Sequence, residues 1–130
     1  MLELDGRAAE PRPLALTTQP MRLHAMDAWV RTGSLLTDAD ALKAALHAAA
    51  AAGGATVVGD EFHTFPNGAV TGVLLLAQSH LSIHTWPELG LANVDLLTCG
   101  EIDSGAILRT IRERLDVERA CVRCIPRALD

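Results

Sequence analysis

Thiols are scarce in this chain. Cys99, Cys121 and Cys124 are its only cysteines, an odd number too small for a disulfide framework, so a reduced, cytoplasmic protein is expected. Cys121-x-x-Cys124 has no second pair with which to complete a zinc site, and on a strand its two thiols face opposite sides. Long apolar runs are missing too. None approaches the roughly 20 residues that a bilayer-spanning helix needs. The opening Met1-Leu2-Glu3-Leu4-Asp5-Gly6 carries acids and no apolar stretch, and does not read as a secretory signal. Positive charge is in deficit: 11 Lys and Arg against 16 Asp and Glu leave a net charge of −5. That balance gives no reason to expect nucleic acid or an anionic membrane as partner. Gly-x-Ser-x-Gly is absent, which argues against a hydrolase built from Ser79, His84 and Asp95.

What is present is apolar content. Hydrophobic residues make up 49% of 130, enough for the core of one domain. Residues 1–20, with Pro11, Pro13 and Pro20 among polar residues, read as a flexible N-terminal arm. Residues 21–130 read as a single domain. Leu23 to Val30 is expected to be a strand. Thr37 or Asp38 can cap a helix to about Ala52, with Leu42, Ala45, Leu46 and Ala49 as its apolar stripe and Gly53-Gly54 as its stop. Ala55 to Val58 restarts as a strand, and Asp60 to Gly68 reads as a polar connection. Val70–Ala77, Leu81–Thr85 and Val94–Thr98 follow as strands. Ser104 is the candidate cap of a second helix bearing Ile107, Leu108, Ile111 and Leu115. Ala120 to Ile125 closes the chain as a strand. The order predicts an α+β fold: a mainly antiparallel sheet with two helices on one face, its other face needing cover.

Chemistry is concentrated in Gln78-Ser79-His80-Leu81-Ser82-Ile83-His84-Thr85-Trp86-Pro87-Glu88. His80 and His84 would suggest a metal pair on a helix. The alternation of Leu81 and Ile83 with polar residues makes this a strand, where four residues span roughly 13 Å, so no metal site is expected.

From about Ala55 to Gly100 the sequence resembles the prokaryotic S-adenosylmethionine decarboxylases, pyruvoyl enzymes of polyamine synthesis, most closely in the core Ser79-to-Glu88 motif. The resemblance implies self-cleavage between Gln78 and Ser79, with Ser79 becoming the pyruvoyl cofactor, an electron sink for decarboxylation. It implies that His84 assists processing by removing the serine α-proton, with help from the hydroxyl of Thr71, and that Cys99 returns a proton to the substrate carbon. Phe65 and Glu88 fall where relatives stack the adenine and bond the ribose hydroxyls of S-adenosylmethionine, with Trp86 beside them. The product would be the aminopropyl donor for spermidine synthesis, and the working unit a homodimer. Two positions depart from the family pattern: Gln78 replaces the usual glutamate, and Thr71 the usual serine. Nearer the N-terminus only His24 and Asp27 match the family, and no catalytic role is carried over to them. Two alternatives stay open, a pyruvoyl-dependent arginine or ornithine decarboxylase, for which Asp60, Glu61 or Asp95 could face the distal cation, and an unprocessed, non-catalytic relative.

Overall fold

The computed structural model describes residues 21–128, so the N-terminal arm lies outside the described residues. Six strands form one antiparallel sheet: β1 (Met21–Val30), β2 (Val57–Thr64), β3 (Val70–Leu76), β4 (Ser79–Trp86), β5 (Leu91–Thr98) and β6 (Val117–Arg127). Their spatial order is β2-β3-β4-β5-β1-β6. Helices α1 (Ala39–Ala52) and α2 (Ser104–Arg114) pack side by side on one face. This is the α+β sheet-and-two-helix architecture expected from the sequence. No helix among the described residues is long and apolar enough to cross a membrane.

The period-2 alternation decides which face the helices cover. Met26 and Ala28 of β1, Val70, Leu74 and Leu76 of β3, Leu81 and Ile83 of β4, and Ala92, Val94 and Leu96 of β5 are buried beneath Leu42, Leu46, Ile107 and Ile111 of the helices. Alanine and glycine let the two helices approach closely, since a Cβ at Gly53 would collide with Ile107. Gly53 also accepts the Asp103 N–H at 3.0 Å, which ties the end of α1 to the start of α2.

Some boundaries differ from expectation, each for a local reason. At α1 the expectation holds: of its two candidate caps Asp38 takes the part, its side chain accepting the Ala41 N–H at 3.0 Å. Asp103 plays that part for α2 by accepting from Ala106 at 3.0 Å, one residue ahead of Ser104. Asp60 to Thr64 is strand, not connection. Its polar residues belong to an edge strand, where one side of the backbone and much of each side chain stay in water. Phe62 of that strand lies against Gly72 of β3, where any Cβ would meet its ring. Asp60 faces α1, bonded to His47 Nε2 at 2.7 Å and close to Lys43 Nζ at 3.5 Å. The His47 hydrogen bond, helped by the Lys43 charge, holds its carboxyl below the usual range.

The other face is open among the described residues, and register makes its layout legible. One transverse row runs His63, Thr71, His84, Asn93, Asp27 and Cys121, one residue from each of the six strands. A nearby row runs Leu75, His80, Leu97, Leu23 and Ile125. Leu75 is 52% exposed and Ile125 45%, an apolar band with nothing described above it.

Candidate active site

Hairpin pairing builds the cleavage end. Leu76 pairs with Ser79, leaving Ala77 and Gln78 as a two-residue turn between β3 and β4. Gln78 has φ 59°, a left-handed conformation that costs a non-glycine residue on the order of 1 kcal/mol. Nothing in the residue type signals this, since glutamine lacks the local preference of glycine or asparagine. The strain therefore sits on the acyl side of the Gln78–Ser79 peptide bond. Ser79 is half-buried, its hydroxyl donating to the Leu97 carbonyl of β5. Cys99 follows β5, and its thiol donates to the Gln78 carbonyl oxygen at 3.8 Å. Residues 21 positions apart thus meet at one carbonyl because β4 and β5 are neighbours. Just below, buried His24 has its Nε2 3.3 Å from Thr98 Oγ1. Burial, then the nearby Arg22 charge, pushes this imidazole's pKa down.

The remaining candidates gather at the far end of β4. Thr71 Oγ1 and His84 Nδ1 are 3.0 Å apart, direct neighbours in the β3–β4 register. Trp86 ends β4, and Glu88 is exposed in the short 3-10 turn Pro87–Leu89 that follows. Phe65, 44% exposed, leaves the end of β2 and meets the His63 ring edge-on, centroids 4.6 Å apart. Thr71, His84, Phe65, Trp86 and Glu88 therefore share one end of the sheet, and Gln78, Ser79 and Cys99 the other. Ser79 and His84 lie five residue steps apart along β4, roughly 16 Å at about 3.3 Å per step. Within one chain the two halves of the expected site do not meet.

Sequence reasoning missed one feature of this face. Asn93 Nδ2 donates to Asp27 Oδ1 at 2.8 Å, while Asn93 Oδ1 accepts from the Trp86 indole N–H at 2.6 Å. Asp27 matches the family pattern but carries no role in sequence, Asn93 is unremarkable there, and only the β4–β5–β1 pairing joins them.

The family model described as S-adenosylmethionine decarboxylase matches residues 22–128. A relative from Pseudomonas paraeruginosa, the S-adenosylmethionine decarboxylase proenzyme, is 43% identical over 76 residues, 58% of this chain and 48% of its own length. The proenzyme of the same name from Symbiobacterium thermophilum is 55% identical over 65 residues, 50% of this chain and 49% of its own. The matched stretch thus spans about half the length of these curated relatives. Among solved structures, the adenosylmethionine decarboxylase from Aquifex aeolicus superimposes with a TM-score of 0.78 at 27% identity, covering 88% of this chain and 95% of that one. With a family match that runs through all six strands and both helices, the chain belongs to the S-adenosylmethionine decarboxylase family.

Proposed function

We propose that this chain is the proenzyme of a cytoplasmic, pyruvoyl-dependent S-adenosylmethionine decarboxylase that cleaves itself between Gln78 and Ser79. The observation that carries the reading is the cleavage end: a left-handed Gln78, the Ser79 hydroxyl beside it, and the Cys99 thiol 3.8 Å from the Gln78 carbonyl oxygen. The residues present fit a serine-derived ketone. Rotation of the Ser79 side chain away from Leu97 brings Oγ to the Gln78 carbonyl carbon. The C–N bond then breaks as the ester C–O bond forms, and the hydroxyl proton passes to the freed amine. Removal of the Ser79 α-proton expels the Gln78 carboxylate. The dehydroalanine left behind hydrolyses with loss of ammonia to a pyruvoyl group at the head of a chain ending at Asp130.

His84 is the base for that α-proton, with Thr71 holding its imidazole. Since His84 stands roughly 16 Å along β4 from Ser79, the pair that acts on Ser79 belongs to a second copy. Two open faces stacked about a two-fold axis that crosses the strands place one copy's cleavage end over the other's far end. The same operator completes the second site. The exposed band of Leu75 and Ile125 gives such a dimer its apolar contact.

When formed, the pyruvoyl group takes up the electrons released as carbon dioxide leaves. Cys99, at the cleavage end, then supplies the proton to the substrate carbon. A thiol–carbonyl contact of 3.8 Å is weak, so cleavage needs little from it. Cys99→Ala is accordingly expected to split into two chains at the normal rate and then to turn over slowly, accumulating transaminated, inactive protein. A mass spectrum showing it uncleaved assigns the thiol to processing instead.

The substrate follows from what the far end offers. Phe65 presents an aromatic face for adenine, and the exposed Glu88 carboxylate accepts from both ribose hydroxyls. An arginine or ornithine would need a free acid for its distal cation. Asp60 is already engaged by His47 and Lys43 on the helix-covered face. Glu61 and Asp95 do lie on the open face, in one row, so the test must include basic amino acids. Carboxyl-labelled S-adenosylmethionine should release labelled carbon dioxide, and arginine and ornithine little. Glu88→Gln should weaken substrate use by about 1–3 kcal/mol, the scale of a lost charged hydrogen bond, with self-cleavage intact. Faster release from a basic amino acid, with Glu88→Gln silent, would overturn the adenosyl assignment.

A further inference from the structure

On the open face two side chains of the polar row, Asp27 and Asn93, stand in series with Trp86 of the adjacent row, a set that the reaction above does not use. We infer that Asp27 and Asn93 are positioning residues that lock the Trp86 indole as a wall of the substrate site beside His84, an inference that rests on the decarboxylase reading.

An asparagine amide has a donor end and an acceptor end, and either can face a given neighbour. Asp27 removes that choice. Its carboxylate accepts at 2.8 Å and so takes the NH2 end of Asn93, which leaves only the carbonyl end for Trp86. The indole nitrogen is a donor and nothing else, and its 2.6 Å bond matches that arrangement. Three strands thus fix one ring: Asp27 on β1, Asn93 on β5 and Trp86 on β4.

Register says where the ring goes. Trp86 pairs with Leu91, whereas Asn93 pairs with His84. The Trp86–Asn93 bond is therefore diagonal, and it leans the indole out of its own row toward the row of His84 and Thr71. A ring 45% exposed would otherwise sample several rotamers. Held by its N–H, it presents one face at the end of the sheet shared with Phe65 and Glu88. A substrate gains from that wall mainly in binding, because the ordering has been done before it arrives.

The test uses a Trp29→Phe background, in which Trp86 is the only tryptophan. Trp29 stands in the same row as Trp86, across Leu91 of β5, with the Arg119 guanidinium 4.0 Å over its ring. Asn93→Leu in that protein should lower the fluorescence anisotropy of Trp86 and make it easier to quench. In the otherwise unaltered enzyme Asn93→Leu should still self-cleave, and should raise KM for S-adenosylmethionine roughly tenfold, about one lost hydrogen bond, with little change in kcat. Since the relay acts only through the indole, Asn93→Leu should add nothing to Trp86→Phe. The exchange Asp27→Asn with Asn93→Asp keeps a donor facing a carboxylate and an acceptor facing the indole, and should bring KM back toward the unaltered value. The inference is overturned if Asn93→Leu leaves KM and the Trp86 signal unchanged, if its effect persists undiminished beside Trp86→Phe, or if it blocks self-cleavage. An unaltered enzyme that cleaves yet never binds S-adenosylmethionine removes the substrate reading and this role together, even where the fluorescence shows the tether.

Discussion

Ser79→Ala is expected to remain one 130-residue chain under conditions in which the unaltered protein separates completely into Met1–Gln78 and a blocked chain of residues 79–130. The effect is all or none, because the hydroxyl is not one contribution among several. Without Oγ there is no ester, without the ester no leaving carboxylate, and without elimination no ketone. Decarboxylation should be absent at any substrate concentration. Stability should hardly change, since the lost groups are one half-buried hydroxyl and its bond to the Leu97 carbonyl, on the order of 1 kcal/mol. Denaturing mass spectrometry reads the cleavage, and hydroxylamine separates a stalled ester from an intact amide. A Ser79→Ala chain that still splits at this position, or an unaltered chain that never does, removes the pyruvoyl assignment. Gln78 bears on the rate. Its carbonyl is backbone and needs no carboxylate to be attacked, and its left-handed φ costs glutamate as much as glutamine, since the cost arises at Cβ.

Much of this is legible in the amino-acid sequence. Val70–Leu76 and Leu81–Thr85 announce strands because one face is buried and the pleat forces every second residue into it. The same reasoning fails at Asp60–Thr64, where an edge strand keeps polar residues in water. It also stops short at Leu91–Asn93 and Val117–Arg119, outer parts of strands whose mixed residues face partly into the open. The site divides similarly. The resemblance pairs Thr71 with His84 in role, but their 3.0 Å contact follows from a hairpin register that spacing alone does not give. Asn93 was missed because its meaning lies in two neighbours from distant segments, Asp27 and Trp86. The strand arithmetic that separates His80 from His84 by roughly 13 Å, too far for one metal ion, also separates Ser79 from His84 by roughly 16 Å. A strand cannot bring its own two ends together, so a site that needs both requires another copy.

That requirement makes the second large prediction, which neither variant alone can deliver. His84→Ala should retain Ser79 but lack the base, and stall at or before the ester. Ser79→Ala should retain the Thr71–His84 pair but have nothing to cleave. Expressed together, they form mixed dimers in which the intact His84 of the Ser79→Ala chain stands over the Ser79 of the His84→Ala chain. In those dimers the His84→Ala chain should be cut, while the Ser79→Ala chain stays whole. A mass tag on one chain distinguishes them. The yield is bounded by statistics: with random pairing and equal expression, about half of the dimers are mixed, since an isologous two-fold has no preference between like and unlike partners. The mixed dimer carries one complete site, formed from Ser79 and Cys99 of one chain with Thr71, His84, Phe65, Trp86 and Glu88 of the other. It should therefore decarboxylate S-adenosylmethionine at roughly half the rate of the unaltered dimer, because one of its two sites works. Cutting of His84→Ala by itself would show that another group removes the α-proton. No cutting in mixed dimers, their formation verified by the tag, would mean that His84 acts within its own chain. A strand would then have to leave the sheet for the reaction to occur, and the pairing of Leu76 with Ser79 and Thr71 with His84 in one hairpin argues against that.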